Sequence, residues 1–222
     1  MTLRRSLFLS TAVVLVSVAT GSSARAQVTP PPTRNETWGA VTTVTMGAAG
    51  AIELLMPRIF YSDPEVTEGW KARWHVSQLA PVMTLTVLTL TNELLLDPAI
   101  QGSRPGCDDT NQGLPACTSY SMPSTHAFGS FAALGNGTAV WLFDMTKWSD
   151  GRFNAGSFVG NVALPLVLGA TTAIGRGVGN WEDAGQILAG AGLGLVFGFL
   201  TGMTYSLMAR PECGYTGNLI CW

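Results

Sequence analysis

Three short stretches of this chain carry the side chains that phosphate chemistry requires: Arg104-Pro105, Pro123-Ser124-Thr125-His126, and Arg176. A phosphoryl group spreads negative charge over several oxygens. A site for it needs planar bidentate donors, small hydroxyl or backbone donors, and a helix N-terminus aimed at it. Arg104 and Arg176 supply the first, Ser124 and Thr125 the second, and a helix beginning near Thr125 the third. His126 then stands beside the bound group as an acid able to protonate a leaving oxygen. Singly, each piece has a plainer reading: a loop arginine, a Ser-Thr N-cap, or an arginine complementing the negative end of a helix. Their order and spacing single them out.

Those pieces must be positioned by an apolar framework. Only 12% of the 222 residues are charged and the net charge is −2, so no basic face recommends a nucleic-acid partner. The length suits one domain with a sizeable core. Residues 1–26 read as a secretory signal peptide: Arg4 and Arg5, an apolar run over 7–19, then Ala24-Arg25-Ala26 as a cleavage site. Residues 27–37, with Pro30-Pro31-Pro32, form an extended linker. Five long apolar segments follow, at roughly 38–56, 75–96, 125–145, 157–174 and 184–209, near or above the length that spans a bilayer. The expected fold is all-α, without strands: a helical domain over 38–210 of five transmembrane helices, or six if the first apolar run is retained. A Cys-containing tail occupies 211–222. The Thr, Ser and Gly content of the segments leaves a soluble periplasmic helical bundle as the alternative.

The positive-inside bias puts Arg58, Lys71, Arg73, Lys147, Arg152 and Arg210 on the inner side. Residues 97–123 and 176–183 then share the outer, periplasmic face. His75 falls on the inner side, a membrane thickness of about 30 Å from the outer turns. Cys107, Cys117, Cys213 and Cys221 allow three pairings; the nearest partners are Cys107 with Cys117 and Cys213 with Cys221. A Cys107–Cys117 bridge is expected in the outer loop, whereas the second pair would lie on the reducing side. Cysteine spacing and only two histidines argue against a metal site, and no cofactor is indicated. Trp38, Trp70, Trp74, Trp148 and Trp181 fall near span ends, as interfacial tryptophans do. Glu93 is an ionisable group inside an apolar segment.

The series Arg104-Pro105, Ser124-x-His126 and Arg176 resembles the type 2 phosphatidic acid phosphatase and haloperoxidase superfamily, whose pattern is K-x6-R-P, P-S-G-H and S-R-x5-H-x3-D. The resemblance covers roughly residues 38–208 and extends to Ile187-Leu188-Ala189-Gly190, similar to the run that closes the third motif. Asp97 stands at the lysine position, Thr125 at the glycine, Gly175 at the serine, Glu182 at the nucleophilic histidine and Gln186 at the aspartate. The resemblance implies phosphate binding by Arg104, Ser124, Thr125 and Arg176, with His126 and Glu182 at the catalytic positions. It implies lipid phosphates or pyrophosphates as partners, hydrolysed at the periplasmic face of a bacterial inner membrane. A carboxylate at position 182 replaces the phosphohistidine-forming group, which argues against hydrolysis and admits a non-catalytic phosphate-binding or scaffold protein. Asp97 or Glu182 paired with Arg104 or Arg176 would turn the cradle into a structural junction.

Overall fold

The computed structural model of the chain describes residues 33–57, 59–62, 70–75, 78–107, 117, 119–208 and 220–221. The expected signal peptide, most of the expected linker and Cys213 lie outside them. Five long helices form the body: α1, Glu36–Leu55; α2, Leu79–Ile100; α3, Thr125–Phe143, continued by a wide turn over Asp144–Trp148; α4, Ala155–Val178; and α5, Ala184–Met208. Four of them, α1, α2, α4 and α5, are long and apolar enough to cross a membrane.

The helix starts follow from the sequence. Asn35, Ser124 and Asn154 each accept a hydrogen bond from the amide three residues on, and so cap α1, α3 and α4. Asp183 and Gln186 cap α5 reciprocally, each side chain accepting the other's backbone amide at 2.9 Å. In α2 and α4 a widened turn precedes an internal proline: Asp97 donates to the Asn92 carbonyl ahead of Pro98, and Leu164 to Val159 ahead of Pro165. The five-residue hydrogen-bond spacing carries each helix past a residue that would otherwise break it. Asp97 and Arg176, expected in loops, therefore belong to the last turns of α2 and α4.

α3 is the axis of the bundle. Along α5, Gly190, Gly194, Gly198 and Gly202 recur every fourth residue and meet Ser124, Phe128, Ala132 and Asn136 in the same order, so the two helices run parallel. A Cβ on Gly202 would stand 2.6 Å from the Asn136 carbonyl, and one on Gly198 would collide with the Ala132 carbonyl. Glycine lets the backbones touch, the mode of helix association that serves in lipid. α1 is also parallel to α3, joined at one end through Thr43 and His126 and at the other through Glu53 and Asn136. α2 and α4 return. Asn92, in the closing turns of α2, reaches the start of α3, and Asn35, ahead of α1, donates to Gly179 just beyond α4 at 3.1 Å.

Burial is inverted relative to a water-soluble domain. Thr42, Asn92, Ser130, Asn136 and Thr172 are buried, while Val87, Leu94 and Val167 are each more than 60% exposed. Large apolar side chains facing outward around a polar and small-residue interior fit a membrane location rather than the soluble alternative.

Strands, not expected from the sequence, occur as a minor addition. β1, Ile59–Ser62, pairs antiparallel with β2, Trp70–His75, and β3, Ile220–Cys221, lies parallel to β2. The alternation Trp70-Lys71-Ala72-Arg73-Trp74-His75 has the period of two that suits a strand, and the expected second helix overran it.

The close contact generates a test. Gly198→Val is expected to lower bundle stability by about 1–3 kcal/mol or more through overpacking. Gly192→Ala, where an added Cβ meets nothing within 4 Å, should leave it unchanged. Unfolding in mixed detergent micelles, followed by circular dichroism, compares the two.

Candidate functional site

The end of the bundle where α1, α3 and α5 begin and α2 and α4 finish collects every residue singled out from the three motifs. Arg104 lies in the segment after α2, which Gln101 ends in a left-handed conformation at φ 55°. Its Nε donates to the Ser119 hydroxyl at 2.9 Å and carbonyl at 3.3 Å, and its Nη1 to the Trp181 carbonyl at 3.4 Å. Cys107 and Cys117 are disulfide-bonded, with Cα atoms 5.6 Å apart. The bridge and the Ser121 amide, which donates to the Gly102 carbonyl at 3.1 Å, clasp the two sides of this loop.

Ser124 is fully buried and its hydroxyl is the cap of α3, accepting from the Ala127 amide at 3.1 Å. The Thr125 hydroxyl accepts from Asn92 Nδ2 at 3.0 Å, and the same amide group donates to the Pro123 carbonyl. His126 Nε2 lies 3.2 Å from the Thr43 hydroxyl. Thus both hydroxyls at the head of α3 already serve the fold, and His126 is held against α1.

Glu182 and Arg176 form an ion pair at 2.8 Å, with side chains 2% and 4% exposed. Of the two expected arrangements this is the structural junction. Gln186 is committed too: beyond capping α5, its Nε2 donates to the Ser103 carbonyl at 2.7 Å, and its own carbonyl accepts from the Ser124 amide at 3.0 Å. It thereby ties all three motif segments together. Asp97 is buried within electrostatic reach of Arg104 and Glu182. Arg176 Nε and Glu182 Oε2 are buried without a hydrogen-bond partner among the described residues.

Trp181, expected near a span end, is engaged by its neighbours at the site. Arg176 stacks over its ring at 5.0 Å from the centroid and Arg34 at 5.3 Å, while its indole N–H donates to the Asn35 carbonyl at 3.0 Å. The Arg104 guanidinium is pushed below its usual pKa by burial, and then by Arg34 and Arg176, against the opposing pull of Glu182 and Glu93. An arginine stays protonated through such a shift; what the shift records is a crowd of positive charge in a partly dehydrated place. Arg34, Thr43, Asn92 and Trp181 are therefore part of the site although no motif pointed to them. A lone amide in an apolar helix, as Asn92 is, was the one available signal. His75 is in β2, three residues before Gln78, which bonds the last carbonyls of α1 at the opposite end of the bundle.

Among the described residues no cluster of three His, Cys, Asp or Glu side chains could hold a metal ion. No family model, no curated protein and no solved structure matches the chain. The site's chemistry rests on its own geometry: three guanidinium groups around one tryptophan, with the Glu182 carboxylate ion-paired to Arg176.

Two outcomes follow. Glu182→Gln leaves Arg176 a buried charge without its partner and is expected to destabilise the fold by about 3–5 kcal/mol, measured by chemical unfolding against the parent. Replacing Cys107 and Cys117 together by Ser should cost about 2–4 kcal/mol in the same assay, and a dithiol reductant should bring the parent down to the double variant.

Proposed function

We propose that this chain is a membrane-embedded relative of the type 2 phosphatidic acid phosphatase superfamily that binds a lipid-phosphate headgroup without hydrolysing it. The observation that carries this reading is the buried Arg176–Glu182 ion pair. At the position of the family's nucleophile stands a carboxylate whose charge is already spent on the arginine that would steady the phosphate. Attack on phosphorus by Glu182 would require breaking that pair and bringing two anions together in a poorly solvated place. Gln186, at the position of the orienting aspartate, is occupied as a strut between the Arg104 loop and α3.

Binding capacity remains. Arg104 presents a guanidinium at the bundle end, Arg176 Nε has no partner among the described residues, and the N-terminus of α3 points into the same region. The inherited ligand class is phosphatidate, phosphatidylglycerol phosphate or an isoprenyl pyrophosphate. With the outer face assigned by positive charge, the site opens to the periplasm of a bacterial inner membrane.

Protein reconstituted with phosphatidate should release no phosphate above a protein-free control, and acid treatment should find no labile phosphoenzyme. The same preparation should retain phosphatidate, with Arg104→Ala weakening retention about tenfold through loss of a charge-assisted contact. Turnover that vanishes in Glu182→Ala but survives in the parent would sink the non-catalytic reading.

A further inference from the structure

A cleft of about 430 Å³ lies between α1, α2 and α3, and none of its lining residues belongs to the three motifs. Met46, Gly47, Gly50 and Leu54 of α1 line it, with Gly129 and Ala133 of α3 and residues of α2 from Val82 to Leu90. A Cβ on Gly47 or on Gly50 would meet nothing within 4 Å, so bare helix backbone borders open space there. Leu54 and Leu90 in the lining are 41% and 51% exposed, which leaves the cleft open toward the side where the spanning helices α1 and α2 meet hydrocarbon.

Polar bonds bracket the cleft and keep it short. Thr43 with His126 and Glu53 with Asn136 join α1 to α3 at levels ten residues apart, about 15 Å along the helices. Asn92 ties α2 to the start of α3 at one end, and Gln78, just ahead of α2, bonds the closing carbonyls of α1 at the other. The polar side chains of the walls are already engaged. The Thr86 and Thr89 hydroxyls donate to the Val82 and Leu85 carbonyls one turn back, each at 2.8 Å, and the Glu53 carboxylate accepts from Asn136 on the α3 side. An apolar occupant therefore suits the cleft.

We propose that this cleft seats one hydrocarbon chain of a bilayer lipid. Left empty, it would forfeit dispersion contacts along its whole lining. A spanning helix is about 10 Å across and about 30 Å long, so it cannot lie within brackets 15 Å apart. A flexible chain entering from the side can. The gain in lipid comes from close packing against glycine backbone rather than from leaving water. The chain, not the headgroup, is what the cleft holds, so the inference stands apart from what the end of the bundle binds.

The test places the full chain in phosphatidylcholine nanodiscs doped with phosphatidylcholine that carries a diazirine midway along one acyl chain. After irradiation, adducts are mapped by peptide mass spectrometry. They should be about tenfold denser over 46–54 and 82–90 than at Val167 and Leu188, which are exposed on α4 and α5. Gly47→Leu with Gly50→Leu fills the open space and should bring the cleft down to the density at those two positions, with their own labelling unchanged. Gly192→Leu, which fills open space on α5 instead, should leave the cleft labelled as in the parent. Adducts spread evenly over the exposed apolar positions reduce the chain to ordinary surrounding lipid and overturn the proposal, as do cleft adducts that survive the double substitution. An unlabelled cleft in nanodiscs that hold two protein chains overturns it in favour of a second copy. Leucine exceeds glycine in helix propensity, and circular dichroism equal to the parent's excludes misfolding; Gly47→Leu alone gives the same reading should the pair lower helicity.

Discussion

The contact on which the rest depends is the backbone-to-backbone seam between α3 and α5. Four glycines at intervals of four let α5 lie directly on α3, so that the Ser124 amide can reach the Gln186 carbonyl and the second and third motifs come within one hydrogen bond of each other. Any side chain there would push the helix starts apart by more than a hydrogen bond tolerates. In lipid, where apolar side chains gain nothing by leaving their surroundings, this kind of close approach is the available driving force for association. The seam is therefore both the means of folding and the means of building the site.

Around that axis the molecule spends its polar groups inward. Threonine hydroxyls along the helices bond to carbonyls one turn back, and pairs such as Thr45 with Thr172 and Ser130 with Thr172 cross between helices. These interactions are individually modest, but each specifies which helix faces meet. The outward faces, by contrast, carry Val, Leu and Ile with nothing to discriminate among them. The polar network defines the arrangement, and the surrounding apolar belt supplies only compatibility with its solvent.

How far the sequence spoke can be followed residue by residue. The helix segments, the gathering of 97–107, 119–123 and 176–183 at one end, and the candidate cluster of Arg104, Ser124, His126 and Arg176 were all legible, because apolar length and motif order survive without coordinates. Helix ends were less so: Asp97 and Arg176 lie inside helices because wide turns absorb Pro98 and Pro165, and nothing local announces a change of hydrogen-bond spacing. The strand pair was hidden by the pull of neighbouring apolar runs. Arg34 and Trp181 were missed for a different reason, since a residue in a presumed linker and a tryptophan at a helix end each had a satisfactory ordinary explanation. Only the convergence of two guanidinium groups on one ring reassigns them.

The ion pair gives the site its character. A buried guanidinium needs a counter-charge at all times. If that charge came from a ligand, the empty site would be unstable and ligand binding would be strongly coupled to folding. Glu182 instead supplies the charge from within the chain, six residues from Arg176 across the turn that ends α4, so the cradle is stable whether or not it is filled. The same carboxylate engages Arg176 at Nη2. Arg176 Nε is left buried without a hydrogen-bond partner among the described residues. Stability without a ligand is thus a consequence of one internal carboxylate.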